Sequence, residues 1–192
     1  MYGPILRGKR VVLRPPVPED VPHIVRWLAD FEVTRMLGYM QQAFSEAQET
    51  DWLKKVAEDH SSVFWIIEID GKPIGTTSIR GIDWKNQHGE TGTLIGDREY
   101  WGKGIGVEQA ELRTRFAFHE LNLVKLKSVA FAENEASRRM AKRIGYREVG
   151  IERREVYADG RWHDGAISEL LREDWEKLQT AAPSTAAGRE RK

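Results

Sequence analysis

Tyr100-Trp-Gly-Lys-Gly-Ile-Gly106 is the stretch on which the reading of this chain turns. It follows a predicted strand over His88–Ile95 and opens a predicted helix from Ile105 to Glu120, whose apolar side carries Val107, Ala110, Leu112, Phe116 and Ala117. Gly102, Gly104 and Gly106 let the backbone come close to a ligand. The first N–H groups of a helix have no intrahelical acceptor, and the helix dipole places partial positive charge behind them. Such a turn suits a phosphate or pyrophosphate, and Lys103 adds a formal charge. Two well-known phosphate loops fit poorly. A Walker loop needs Lys followed by Ser or Thr where the helix opens, whereas Gly106 is followed by Val107-Glu108. A dinucleotide fingerprint needs G-x-G-x-x-G, whereas here glycine recurs at every second residue.

Outward from this turn the chain alternates strands and helices. Upstream, Arg10–Arg14 reads as a first strand, and Glu19–Ala29 places Val21, Ile24, Val25 and Leu28 at helical spacing, with Pro22 in the first turn. Ser45-Glu-Ala-Gln48 has the form of a capping box and opens a helix through Trp52, Leu53 and Val56. Val63–Ile69 and Ile74–Ile82 read as strands joined at Asp70-Gly71. Downstream, Val124–Phe131 alternates as a strand, Ala136–Ile144 is a short helix ended by Gly145, and Arg147–Tyr157 with Arg161–Leu171 form a hairpin around Asp159-Gly160. A terminal turn is expected at Trp175, and Thr180–Lys192 has the composition of a disordered tail. One α+β domain over residues 1–179 accounts for the pattern.

Composition bounds the function. Thirty Lys and Arg against thirty Asp and Glu give a net charge of zero, which argues against a strongly basic nucleic-acid binder. With no cysteine, disulfides, Cys-based zinc sites and thiol nucleophiles are excluded. No apolar run approaches the roughly 18–20 residues of a membrane helix, and the mean hydropathy is −0.57. A chain of 192 residues buries roughly 70% of its unfolded surface, so it needs no staple to fold. The expectation is a soluble cytoplasmic protein without a metal, acting on neither nucleic acid nor membrane.

The loop resembles that of the GNAT superfamily of acetyl-CoA-dependent N-acetyltransferases, whose phosphate loop reads Arg/Gln-x-x-Gly-x-Gly/Ala. Trp101-Gly-Lys-Gly104-Ile-Gly106 matches both glycines and departs at Trp101. Tryptophan there is common in the subgroup that includes the ribosomal-protein N-terminal alanine/serine acetyltransferases. Asn134-Glu-Ala-Ser137, running on to Gly145-Tyr146, is similar to that subgroup's N-x-x-S…G-F/Y segment. Glu90-Thr-Gly92 and Tyr157–Asp164 are similar to its acidic-x-Gly strand and its late hairpin, so the resemblance spans roughly Arg7–Leu178. It implies a three-layer α/β/α fold with a mixed, mostly antiparallel sheet of about seven strands and about four helices.

It also implies direct attack of an amine on the acetyl-CoA thioester. Pyrophosphate would lie on the N–H groups of Lys103–Val107 (Lys103, Gly104, Ile105, Gly106, Val107), beside Trp101 and Gly102. Pantetheine would extend along Thr93, Leu94 and Ile95 like an added strand. Asn134 would bond the pantetheine amides, for which its alternative is helix capping. The position where many relatives carry a tyrosine acid is Ala141, so Ser137 inherits the contact to the leaving sulfur, with capping again the alternative. Glu90 is the first candidate base and His88, on the same strand face, the second, the alternative being an amine that arrives already neutral and needs no base. Arg139, with Arg138, Lys142 and Arg143, could reach the 3′-phosphate or simply form a solvated face.

The acceptor is the open question. Trp27, Phe31, Tyr39, Trp52, Trp84, Tyr157 and Trp162 either line its pocket or fill the core. Asp30, Glu32, Asp159 and Asp164 could attract an ammonium. Three readings follow: acetylation of a protein α-amine, acetylation of a small amine such as a polyamine, amino sugar or aminoglycoside, or a non-catalytic acyl-CoA sensor. Monomer and homodimer are both compatible with the chain.

Overall fold

Val63–Ile69 is apolar on both faces, and that property builds the architecture. Its odd residues Val63, Trp65, Ile67 and Ile69 enter one core, while Phe64 and Ile66 enter a second. A strand sends successive side chains to opposite faces, so this segment needs cover on both sides. In the computed structural model, which describes residues 1–38 and 42–181, that cover is two layers of helices around one sheet.

The elements are β1 (Leu6–Arg7), β2 (Val12–Arg14), α1 (Val21–Ala29), α2 (Phe31–Thr34), α3 (Glu46–Glu58), β3 (Val63–Ile69), β4 (Lys72–Asp83) and β5 (His88–Ile95). After these come α4 (Ile105–His119), β6 (Lys125–Phe131), α5 (Glu135–Ile144), β7 (Arg147–Ala158), β8 (Arg161–Leu171) and α6 (Arg172–Ala181). The sheet order is β1-β2-β3-β4-β5-β6-β8-β7, antiparallel at every step except β5 against β6. Val21, Ile24, Trp27, Val33 and Leu53, from α1 to α3, close one face over Phe64 and Ile66. Ile105, Ala110, Ala117 and Phe118 of α4, with Ala141 and Ile144 of α5, close the other.

Local signals operate as their chemistry requires. Ser45 and Gln48 cap each other's backbone at the start of α3. Asp70-Gly71 and Asp159-Gly160 all take positive φ, as the tight hairpin turns need. Gly145 ends α5 at φ 107.

The structure refines the expectations. Among the described residues there are eight strands where about seven are expected, because Leu6–Arg7 pairs with Val12 and Leu13 over only two rungs, too short to show as alternation. Among the same residues there are six helices where about four are expected. Asp30 caps the single turn of α2, and Trp175, expected in a turn, anchors α6 against Phe118 at 5.6 Å between ring centroids. Thr180 and Ala181, assigned to the tail, belong to α6, and the tail's remaining residues lie outside the described ones. A further correction concerns α4. Its buried face is Ile105, Gln109, Ala110, Arg113, Thr114, Ala117 and Phe118, while Val107, Leu112 and Phe116 pack only partly buried at the margin of the core.

The single parallel junction positions the site. Rungs join His88 to Lys125, Gly89 to Leu126 and Glu90 to Lys127, and there the pairing stops. Thr91–Ile95 and Ser128–Phe131 diverge, which leaves a splay in the middle of the sheet.

Candidate active site

One side of the splay is the start of α4. Gly102 and Gly104 have φ of 73° and 80°, a region that costs other residues strain. Gly104 is the N-cap and no side chain caps this helix. The N–H of Val107 turns back to the Gly104 carbonyl at 3.1 Å, while those of Ile105 and Gly106 meet no protein acceptor among the described residues. The loop is braced from behind. Arg10 donates to the Lys103 carbonyl at 3.1 Å, and the Glu108 carboxylate accepts the N–H groups of Arg10 and Val11 at 2.7 and 3.0 Å. Burial works to raise Glu108, yet those donors hold it below its ordinary range. Trp101, half-exposed, donates its indole N–H to the Ile95 carbonyl at 2.8 Å, tying the loop to the end of β5.

The other side is the start of α5. Asn134 Oδ1 accepts the Ser137 N–H at 3.1 Å, so the capping role of Asn134 is present. The Ser137 hydroxyl has no protein partner among the described residues. The two helices cross where a Cβ on Gly106 would lie 3.0 Å from Met140 Sδ, so glycine here also permits close packing. Along the β5 edge, Leu94 packs toward the α1–α3 core and Ile95 toward the α4 core.

Glu90 occupies the last rung before the splay. It accepts from Arg80 Nη2 at 2.5 Å and Nε at 3.1 Å, both on Oε1, which leaves Oε2 without a protein partner among the described residues. His88 shares its face. Burial first, then Lys125 and Lys127, pull His88 below its ordinary value, which favours the neutral ring.

Other candidates are spoken for. Arg138 pairs with Glu148 at 2.8 Å and Arg139 with Glu135 at 2.6 Å. Those residues line a surface hollow between α5 and β7. Trp27 is core, lying so close over Gly96 that a Cβ there would meet the ring at 2.1 Å. Trp52 packs edge-on against Phe64, and Trp84 donates to the His60 carbonyl. Phe31, Tyr157 and Trp162 are exposed, while Tyr39 lies outside the described residues. Among the acids, Asp30 caps α2, Glu32 pairs with Arg35, Asp159 forms the hairpin turn and Asp164 accepts the Arg154 N–H.

Sequence reading missed a polar layer between α4 and the sheet. Arg113 is 2% exposed, and its Nη1 reaches Thr77 Oγ1 at 2.6 Å, the Gly92 carbonyl at 2.8 Å and Thr93 Oγ1 at 2.8 Å. Gln109, fully buried, donates to Thr93 Oγ1 at 2.9 Å, and Tyr146 OH meets Thr91 Oγ1 at 3.1 Å. The available signal was polar residues at the helical spacing of the core face, at Gln109 and Arg113 among Ile105, Ala110 and Ala117.

Fold and site together define a mixed α/β protein with an uncapped helix start set against a splayed sheet. The family profile described as an acetyltransferase (GNAT) domain matches residues 10–147, and the chain belongs to that family. It is thereby an acyltransferase, and N-acetyltransferases are among its relatives. It is 28% identical to the uncharacterized N-acetyltransferase YoaA of Bacillus subtilis, over 88% of this chain and 97% of that one. It is 33% identical to YdaF of the same organism, provisionally named a ribosomal N-acetyltransferase, over 66% and 68%. In fold it matches spermidine N-acetyltransferase from Vibrio cholerae, solved with CoA and spermine, at TM-score 0.82 and 19% identity, covering 88% and 98%. RimL, a ribosomal alpha-N-protein acetyltransferase solved with coenzyme A, matches at TM-score 0.80 and 17% identity, covering 88% and 98%. No helix among the described residues is long and apolar enough to cross a membrane.

Proposed function

We propose that residues 1–179 form one acetyltransferase domain that transfers acetyl from acetyl-CoA to the α-amine of a protein or peptide. The observation carrying the cosubstrate is the uncapped start of α4. Its free N–H groups, glycine conformations and Lys103 fit a pyrophosphate, and the unpaired β5 edge fits an amide-bearing arm. Bound there, acetyl-CoA supplies an activated acyl thioester. Gly104, Ile105 and Gly106 hold the phosphates, and Leu94, Ile95 and Asn134 orient the pantetheine. Arg139 releases Glu135 to reach the 3′-phosphate. Glu90 Oε2 takes the proton of the incoming ammonium, directly or through water, and the Ser137 hydroxyl hydrogen-bonds the departing sulfur.

The choice of acceptor rests on the acids. A polyamine carries several separated charges and needs several free carboxylates, whereas three of the four candidate acids, Asp30, Glu32 and Asp164, already hold protein partners. Phe31, Tyr157 and Trp162 are exposed, and exposed aromatic side chains suit contact with a peptide. The relationship to YdaF supports the same choice. Thiol release from acetyl-CoA tests this with peptides beginning in Ala or Ser, the same peptides blocked at the N-terminus, spermidine and an aminoglycoside. Release with the free peptides alone is expected. Preference for spermidine or the aminoglycoside would transfer the assignment to small amines, and CoA binding without turnover on any of them would favour a sensor.

A further inference from the structure

β5 and β6 separate although neither strand ends there. Beyond Glu90, β5 stays paired with β4 as far as Ile95, and beyond Lys127, β6 stays paired with β8 as far as Phe131. Strand length therefore does not set the parting point. Thr91, the first β5 residue past the last rung, sends its hydroxyl across the junction to the Lys127 carbonyl at 3.1 Å. The same oxygen meets the Tyr146 hydroxyl at 3.1 Å, and both residues are buried.

Proton count fixes the direction of these bonds. A carbonyl only accepts, so the single hydroxyl proton of Thr91 goes to Lys127, and Tyr146 donates to Thr91. Burial holds the Tyr146 phenol above its ordinary value, against the pull of the Arg113 charge and of the bond to Thr91, so it keeps the proton it donates. The backbone of Tyr146 is set in turn by the end of α5, where Gly145 takes φ 107 and the Tyr146 N–H closes on the Ala141 carbonyl at 3.0 Å. A chain of donors thus runs from the end of α5 through β5 to β6. The opposite end of α5 carries Asn134 and Ser137, and β5 carries Glu90 beside Thr91.

We propose that Tyr146 is a positioning residue that acts through Thr91 to fix where the sheet opens, and so sets Glu90 on β5 relative to Ser137 on α5. The proposal rests on the reading that the acyl thioester lies in this opening. Apolar side chains at both positions would fill the same buried space with no polar group to satisfy, whereas linked hydroxyls give the contact a direction.

Tyr146→Phe keeps the ring and removes the outer donor, Thr91→Val keeps the branched shape without the hydroxyl, and Thr91→Ser keeps the hydroxyl. In the ligand-free protein, hydrogen exchange at Glu90–Gly92 and Lys127–Ser128 should speed roughly 5-fold in Thr91→Val, the effect of one buried hydrogen bond, with Val63–Ile69 unchanged. Transfer to a free-N-terminus peptide should fall roughly 3- to 10-fold in kcat for Tyr146→Phe and for Thr91→Val, while KM for acetyl-CoA stays within about 3-fold. The double variant should lose no more than the worse single one, because both break the same chain, and Thr91→Ser should stay within about 2-fold of wild type. A purely structural role would instead lower Tm and leave kcat of the folded enzyme alone. Unchanged exchange in Thr91→Val, kcat of both single variants within about 2-fold of wild type, or losses that multiply in the double variant would each overturn the proposal. The two Thr91 variants carry the exchange and kcat measurements if Tyr146→Phe does not fold. Failure of the wild-type protein to bind acetyl-CoA would overturn the reading of the site, whereas the ligand-free exchange result judges the link by itself.

Discussion

α3 and α4 flank the same sheet from opposite faces and begin in opposite ways. Ser45 and Gln48 close the first turn of α3 with a reciprocal capping box, so its early N–H groups are partly satisfied within the chain. α4 begins at a glycine in the left-handed region with no side-chain cap, and its first N–H groups wait for an acceptor from outside. Each helix also carries a charged residue on its sheet-facing side. Glu49 of α3 is 4% exposed with no ion pair among the described residues, and Arg113 of α4 is spread over three oxygens. The difference separates a helix start closed by its own side chains from one left open, the start that the proposed function assigns to the pyrophosphate. The start of α5 stands between them, capped by Asn134 yet facing the splay.

The comparison breaks most severely at Gly104. In Gly104→Asp an acidic side chain at the N-cap enters the anion site, and CoA affinity should fall about 100-fold by calorimetry from charge repulsion alone. Tm should shift little, since left-handed strain of about 1 kcal/mol is offset by a favourable charge at the helix start. Comparable losses of affinity and folding would remove the contrast with α3.

Glu49 gives the next effect. Burial raises its carboxyl to about 7, against an unfolded value near 4.3, so the folded state holds the extra proton between those limits. That contribution to stability is complete below about pH 4.3 and disappears as pH rises through about 7. Glu49→Gln should therefore gain on wild type by on the order of 2 kcal/mol between pH 5 and pH 8, or several degrees in Tm. A Tm difference that does not vary with pH would show the carboxyl to be charged throughout.

Ser137→Ala tests the intermediate helix. Turnover should fall roughly 5-fold, about 1 kcal/mol of barrier, with little change in KM for acetyl-CoA, because the cap comes from Asn134 and the proposed function gives the hydroxyl only the leaving sulfur. Wild-type turnover would take Ser137 out of the mechanism. The smallest change belongs to α3, where Ser45→Ala should cost about 1 kcal/mol, or 2–4 °C in Tm, by thermal unfolding. CoA binding should be unaffected there, and a loss of affinity would mean that the two helix starts are coupled.

Both helix starts were legible because their signals are local. A capping box is four residues long, and a run of alternating glycines permits few backbone conformations other than a close-approach turn. Hairpin turns at Asp70-Gly71 and Asp159-Gly160 were legible for the same reason. The buried face of α4 was misread because Gln109, Arg113 and Thr114 break the apolar pattern on which periodicity depends. Arg80's hold on Glu90 joins residues on two strands, and nothing near either one announces the other. Glu49 could not be distinguished from the solvated glutamates around it until the fold buried it.

The amino-acid sequence by itself determined where the chain turns, where α4 exposes its N–H groups, and that Val63–Ile69 needs cover on both faces. These follow from φ restrictions, capping and side-chain alternation, which act over a few residues. Only the tertiary structure decided that β5 parts from β6 after Glu90, and that the Arg113 guanidinium, 21 residues farther along the chain than Gly92, meets the Gly92 carbonyl. Such an outcome depends on which buried groups meet, and a buried donor must find its acceptor wherever the fold brings one.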